Sequence, residues 1–180
     1  MENPWKTINK RTVYENPWIS VTHREVINPS GNEGIYGVVH FKNLAIGIVP
    51  LDEHGYTWLV GQYRYTLDRY SWEIPEGGCP VGTSPLESAK RELLEETGIT
   101  AARWEHILDF HLSNSVSDEA GMAFIARDLS FGEAQPEETE DLLVKKVPFT
   151  EALEMIYRGE ITDSLSIMGL LRAKVWLEEG

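Results

Sequence analysis

The chain has 180 residues, of which 42% are hydrophobic and 25% charged; this composition indicates one globular domain, with or without an appendage, and excludes a disordered chain. Its 29 acidic residues outnumber the 16 basic residues and give a net charge of −13. Because Lys and Arg neutralise nucleic-acid phosphates, this charge argues against a nucleic-acid-binding protein, whereas a small polyanion would bind through a locally basic pocket or a bridging metal ion.

Strands dominate the first half of the chain. Stretches rich in Val, Ile, Tyr, Trp and Thr, separated by turn residues, predict strands at 18–28, 35–41, 45–51 and 57–65. After these the sequence predicts a helix at 85–97, strands at 103–113, 120–129 and 142–147, and helices at 150–158 and 163–178. Strands interrupted by one isolated helix favour an α+β class over alternating βαβ units. We divide the chain into an N-terminal antiparallel strand region at 1–40 and a main domain at 41–180.

The cellular setting is predicted from what the sequence contains. Cys79 is the single cysteine, so no intrachain disulfide can form and a reducing compartment is expected. The first thirty residues contain no apolar run, which predicts no secretory signal. The nearly apolar run at 44–51 is too short to span a bilayer. We therefore expect a cytoplasmic protein without membrane contact.

The helix at 85–97 has clear start and stop signals. Ser84, Pro85 and Glu87 form a capping box with proline at the first helical position, and Gly98 ends the helix. At about 100° per residue, three glutamates share one sector, while a separate apolar sector faces the core. The glutamates are Glu92, Glu95 and Glu96, and the apolar residues are Leu86, Ala89 and Leu93.

Three carboxylates at this spacing repel one another unless a cation joins them. One interpretation is a solvated acidic face. The other is a site for a hard cation, Mg²⁺ or Mn²⁺, which prefer oxygen ligands. The glycine-rich segment at 72–82, read as a loop, favours the second interpretation because glycine lets backbone carbonyls approach a ligand.

Loop, capped helix and glutamates together resemble the Nudix box, Gly-x5-Glu-x7-Arg-Glu-U-x-Glu-Glu-x-Gly-U, where U is a bulky aliphatic residue. Gly77 begins the match, and the run from Arg91 to Ile99 completes it with the same spacing. Thr83 stands where the signature has its first glutamate, which leaves the number of metal ions open.

The resemblance implies an α/β/α sandwich with a mixed sheet and a hydrolase that splits a nucleoside diphosphate linked to another group. It implies that Glu92, Glu95, Glu96 and the carbonyl of Glu76 bind Mg²⁺, with Mn²⁺ also possible, and that Glu92 belongs to the catalytic set. We expect Arg91 to orient these carboxylates rather than to touch substrate.

A longer stretch resembles the ADP-ribose and nucleoside-diphosphate-sugar pyrophosphatases. It comprises Gln62-Tyr63-Arg64 and the run from Arg69 to Gly78. In that branch the arginine matching Arg64 contacts the diphosphate, and Arg69 is a second candidate; a strand-end salt bridge is the alternative for Arg64. Two other functions stay open, namely hydrolysis of another nucleotide and a non-catalytic nucleotide-sugar sensor.

A second acidic cluster lies at 133–141. It is either an exposed acidic loop or the loop that supplies a Glu-x-Glu pair in the resembled branch. On the second interpretation, Glu138 is the candidate general base, with Glu137 as its rival, and Glu140 is a candidate metal ligand.

The resemblance also implies contacts with the sugar and the base of the substrate. Glu119 ends a polar stretch placed to bind the sugar, although an ordinary polar turn fits equally well. The resemblance implies that Trp18 or Tyr14 stacks on the base, and that Arg24 reaches the substrate bound by a second copy of the chain in a homodimer. The alternative for the two aromatic residues is a small satellite core. The preferred base and sugar, and the dimer geometry, stay undetermined at this stage.

Overall fold

The computed structural model describes residues 1–134 and 142–179. In chain order its strands are β1 Lys6–Glu15, β2 Ile19–Ile27, β3 Glu33–Phe41, β4 Asn43–Pro50, β5 Tyr56–Arg64, β6 Arg69–Glu73, β7 Glu76–Pro80, β8 Ile99–His111, β9 Ala120–Phe131 and β10 Leu143–Pro148. The helices are α1 Pro85–Thr97, α2 Phe149–Tyr157 and α3 Ser164–Glu179.

A mixed four-stranded sheet in the order β7-β4-β9-β8 lies at the centre of the molecule. Strand β4 runs parallel to β9 and antiparallel to β7. Because side chains alternate along a strand, Ile46 and Ile48 join Leu93 of α1 in one core, while Val49 joins Leu165 of α3 in the other. Helices therefore cover both faces of the sheet, which confirms the predicted α/β/α sandwich.

A second sheet has the order β10-β5-β6, and its strands are antiparallel. A 3-10 turn at Tyr65–Leu67 joins β5 to β6, and Asp68 closes this turn with a left-handed φ of 52°. Arg64 and Arg69 are paired across the two strands. The hairpin thus brings the two candidate substrate arginines to one end of the sheet.

The N-terminal strands form a separate antiparallel sheet in the order β1-β2-β3. Strand β1 was not predicted, because all its residues are exposed and its sequence has no buried alternation. The sheet is attached to the segment before β9: Val39 N–H donates to the carbonyl of Val116 at 2.9 Å, and Tyr36 Oη donates to that of Ser115 at 2.7 Å.

The interpretation of 72–82 as a loop was wrong. The segment contains the end of β6 and the whole of β7, which pairs with Asn43–Gly47 of β4. The sequence did not predict this strand because glycine has no side chain, so the alternation of apolar and polar side chains typical of a strand is missing.

The prediction for α1 is confirmed at both ends: Ser84 accepts a hydrogen bond from Glu87 N–H, and Gly98 ends the helix with a φ of 71°. No helix within the described ranges is long and apolar enough to cross a membrane.

Candidate active site

Helix α1 turns two of its glutamates toward β7 instead of solvent. Glu92 and Glu96, one helical turn apart, are only 8% and 2% exposed. The side chain of Glu95 is 29% exposed. A solvated acidic face is therefore the wrong interpretation for Glu92 and Glu96.

The first residues of β7 are docked on these carboxylates. A Cβ atom built onto Gly77 would overlap the carboxylate of Glu92, so the glycine is needed for this close approach. The main-chain N–H of Glu76 donates to Oε2 of Glu96 at 2.9 Å. Strand β7 and helix α1 thus hold the carbonyl and carboxylate oxygens of 76, 92 and 96 in one region.

Arg91 donates hydrogen bonds to both the helix carboxylates and the main chain of β7. Its Nη2 donates to Oε1 of Glu92 at 2.5 Å and to the carbonyl of Gly78 at 2.9 Å, and its Nη1 donates to Oε2 of Glu95 at 2.6 Å. These are the contacts expected of a residue that orients carboxylates. The guanidinium also offsets the repulsion between Glu92 and Glu95.

Arg64, at the end of β5, is held by two buried carboxylates. Glu73 is 2% exposed and accepts from Nε at 2.9 Å and from Nη2 at 2.5 Å. Oε1 of Glu76 accepts from Nη2 at 2.8 Å. Burial opposes the charge of the guanidinium, but these ion pairs outweigh it and raise the pKa of Arg64. The salt bridge expected as the alternative role is present, and the side chain of Arg64 keeps about a third of its surface exposed.

The carboxylate of Glu76 lies in an electrostatically unfavourable environment. Its Oε2 is buried and has no hydrogen-bond partner within the described residues. Burial raises the pKa of Glu76 well above its usual value, and the nearby Asp163 and Glu73 raise it further.

Glu119 and Asp163 lie on the same side of the site. Burial raises the pKa of Glu119, and the charge of Asp163 adds to that shift. Asp163 caps α3, since its Oδ2 accepts from Ser166 N–H at 2.7 Å. Sequence reasoning missed Asp163 and Glu73. An aspartate just before a helix is a capping signal that was available, whereas the burial of Glu73 against Arg64 had no signal.

A cleft of about 400 Å³ brings Trp18 beside the helix carboxylates. Its lining residues are Trp18, Asn43, Gly77, Gly78, Pro80, Arg91 and Glu92. The indole of Trp18, 66% exposed, is therefore available at the edge of the site within a single chain.

Two other predicted residues lie away from that cleft. Arg24 lies on the N-terminal sheet, in a groove with Trp5 and Tyr36, and its Nε donates to Oγ1 of Thr22 at 3.2 Å. Arg69 donates through Nη2 to the hydroxyl of Thr162, in the segment before α3. The predicted residues Glu137, Glu138 and Glu140 lie outside the described residues.

The oxygen-rich site fits a hard divalent cation, although its side chains are not gathered into a complete ligand set. No three His, Cys, Asp or Glu side chains are grouped for metal binding in the part of the chain that the structure describes. The available donors are nevertheless carboxylates and main-chain carbonyls only, which suit Mg²⁺ or Mn²⁺.

Comparison with known families agrees with this geometry. The NUDIX domain matches residues 41–164, and the chain therefore belongs to the Nudix family of hydrolases, whose pyrophosphatases generally use divalent metal ions. The nucleoside diphosphate sugar hydrolase N-terminal domain matches residues 5–39. The resemblance to the nucleoside-diphosphate-sugar branch of this family is confirmed.

Similar proteins span nearly the whole chain. An ADP-ribose pyrophosphatase from Mycobacterium tuberculosis is 34% identical over 94% of this chain and 83% of its own length. A second ADP-ribose pyrophosphatase, from Bacillus subtilis, is 32% identical over 88% of this chain and 86% of its own length. A solved structure described as an ADP compounds hydrolase has the same fold, with a TM-score of 0.88, 20% identity and coverage of 97% and 95%.

Proposed function

We propose that this protein hydrolyses the diphosphate bond of ADP-ribose or a related nucleoside diphosphate sugar and releases a nucleoside monophosphate and a sugar phosphate. The single observation that carries the proposal is the similarity to two ADP-ribose pyrophosphatases over 94% and 88% of the chain. The match of residues 5–39 to the N-terminal domain of nucleoside diphosphate sugar hydrolases supports the same substrate class. The single, buried Cys79 supports a cytoplasmic location.

In this proposal, Glu92, Glu95, Glu96 and the main-chain carbonyl of Glu76 hold Mg²⁺, or Mn²⁺ in its place. A divalent ion between carboxylates and phosphoryl oxygens neutralises the charge that develops during hydrolysis and lowers the pKa of a bound water. The position of Glu92 and Glu96 against β7 supports these roles, because it brings carboxylate oxygens, the ligands that Mg²⁺ prefers, next to the main chain of Glu76 and Gly77.

The positions of the polar and aromatic side chains support the following substrate contacts. Arg64 binds the diphosphate, since a guanidinium matches the geometry of phosphate oxygens. Arg69, at the other side of the same hairpin, is a second diphosphate contact. Glu119 binds hydroxyl groups of the sugar, and Trp18 stacks on the base at the edge of the cleft.

The general base is Glu138, which takes a proton from the attacking water, and Glu140 is an additional metal ligand. This assignment depends on the sequence pattern alone, as both residues lie outside the described ranges. A carboxylate can take this proton when it lies within hydrogen-bond reach of the attacking water.

Residues 1–40 serve as a dimerisation region in this proposal, and Arg24 reaches the substrate bound by a second copy of the chain. The exposed side chains along the whole of β1 support an interface there.

A coupled phosphatase assay with Mg²⁺ tests the proposed function. The substrates are ADP-ribose, ADP-glucose, GDP-mannose and a nucleoside triphosphate. We expect turnover of at least one diphosphate sugar in excess of the triphosphate. Turnover of the triphosphate alone would identify a hydrolase of another nucleotide, and binding without any turnover would identify a sensor.

A further inference from the structure

The carboxylate of Glu76 joins the two halves of the site. Its Oε1 accepts from Nη2 of Arg64, while the main-chain N–H of the same residue holds Glu96 of α1. The roles proposed above use the main-chain carbonyl of Glu76 and leave its side chain without a function.

Keeping an acidic side chain at this position is costly. The side chain is 14% exposed, and the carboxylates of Glu73 and Asp163 are close enough to disfavour its charge. A neutral residue would avoid the desolvation of this carboxylate and the repulsion from its neighbours. The contact that offsets this cost is the ion pair of Glu76 with Arg64 at 2.8 Å, and it points to a role for the carboxylate in holding that guanidinium.

The hydrogen bonds of Arg64 show what that role is. Glu73 engages Nε and Nη2, and Glu76 adds a second acceptor on Nη2. Within the described residues, no protein group accepts a hydrogen bond from Nη1. A guanidinium has five N–H groups in a fixed plane, so the two carboxylates fix that plane and leave both N–H groups of Nη1 for a ligand.

We propose that Glu76 is a positioning residue which, together with Glu73, holds the guanidinium of Arg64 so that Nη1 is presented to the diphosphate of the substrate. This inference rests on the proposed function. Glu73 binds one edge of the guanidinium. Glu76 accepts from the second N–H group of Nη2 and thereby prevents the guanidinium from rotating about that edge. The side chain of Glu76 acts through Arg64 and does not itself touch the substrate.

A double-mutant cycle between Glu76 and Arg64 tests the inference. In the parent protein, Glu76→Ala should raise KM about tenfold and change kcat by less than about threefold, because the lost positioning weakens binding in the ground state and the transition state alike. Glu76→Gln should restore most of the loss, since the amide oxygen still accepts from Nη2. In an Arg64→Ala background, Glu76→Ala should change KM by less than about twofold.

A binding measurement separates positioning from folding and from catalysis. The affinity for an ADP-ribose analogue with a methylene group between the phosphorus atoms should fall about tenfold in Glu76→Ala. The melting temperature should stay well above the assay temperature in Glu76→Ala, because Glu73 still pairs with the guanidinium of Arg64. Glu53→Ala, in the exposed β4–β5 turn, is the matched control and should leave binding unchanged.

Three results would overturn the inference. The first is that the costs of Glu76→Ala and Arg64→Ala multiply, which means that the residues act independently. The second is an unchanged KM with a higher Mg²⁺ requirement, which would make the carboxylate a metal ligand. The third is a parent protein that neither binds nor hydrolyses any nucleoside diphosphate sugar, which removes the proposed function as well; the first two results leave that function intact.

Discussion

Gly77 lies directly against the carboxylate of Glu92, at a distance that leaves no room for a side chain on residue 77. Its φ is not in the left-handed region, so close approach rather than a turn explains the glycine. The contact sets the distance between β7, which carries main-chain carbonyls, and α1, which carries the carboxylates.

We expect Gly77→Ala to lower kcat/KM by about a hundredfold, because the new methyl group would push Glu92 from its position and small displacements in a site cost that much. Steady-state kinetics across an Mg²⁺ titration measures the loss. Gly37→Ala, in β3, is the matched control, since a Cβ atom there meets no other atom within 4 Å. Equal activity of the two variants would contradict this account of Gly77.

Glu96→Gln tests the carboxylates of α1 directly. The amide keeps an oxygen for Glu76 N–H but loses the negative charge, so we expect kcat to fall by at least about a hundredfold and Mn²⁺ affinity to weaken. Kinetics and Mn²⁺ titration followed by electron paramagnetic resonance provide the two readouts. Glu87→Gln, exposed on the same helix and paired with Lys90, is the control. Parent-like turnover with an unchanged magnesium requirement would remove the basis of the metal assignment.

The extent to which the sequence predicts the fold depends on whether a signal is local. Helix α1 has an apolar face in its own thirteen residues and a cap and a stop in the two residues that flank them, and its bounds match the prediction. Strand β7 has no such signal, because Gly77 and Gly78 have no side chains and their pairing with β4 is a tertiary property. Strand β1 has no buried face in this chain.

The same distinction applies to the site. The helical spacing of Glu92 and Glu96 predicts one shared face, and both side chains are buried there. The ion pair of Arg64 with Glu73 joins two strands of a hairpin, and the charge of Asp163, just before α3, acts on Glu119, just before β9. Such contacts follow from the packing of distant segments, which residue types and spacing do not specify.

Glu138→Gln tests the general base. We expect kcat to fall by about two to four orders of magnitude, the usual contribution of general-base catalysis, with Mn²⁺ affinity within about twofold of the parent. Single-turnover kinetics under saturating Mg²⁺ measures the rate of the hydrolysis step. Glu137→Gln is the matched comparison. A large loss in Glu137→Gln with little change in Glu138→Gln would transfer the role to the neighbouring residue.

The environment of Glu119 predicts a pH-dependent effect on stability. Burial and the charge of Asp163 raise the pKa of this carboxyl above its usual 4.5, so the folded state binds its proton more tightly than the unfolded state. The ionised form of Glu119 therefore lowers the free energy of unfolding. This loss of stability is absent below pH 4.5, where the carboxyl is protonated in both states, and it grows as the pH rises from 4.5 to the raised pKa. Glu119→Gln should accordingly raise the melting temperature by about 1–3 °C near neutral pH.

Thermal unfolding across the pH range, without metal ions, measures this difference. The gain of Glu119→Gln over the parent should disappear as the pH falls below 4.5, where the carboxyl is protonated in both states. Glu105→Gln, half-buried on β8, is the control. A gain that stays constant with pH would mean that charge on Glu119 is not the cause.

The N-terminal sheet predicts a homodimer. Strand β1 is an edge strand whose residues are all exposed, among them Ile8 at 64% and Val13 at 49%. An edge with free backbone groups and apolar side chains favours pairing with a second chain. Light scattering should therefore give twice the chain mass of 20.4 kDa, and Ile8→Asp should shift the protein toward the monomer.

Tyr157→Asp, an exposed aromatic position at the end of α2, is the control. A parent protein of 20.4 kDa at working concentration would contradict dimerisation and, with it, the role of Arg24 in a second copy's site.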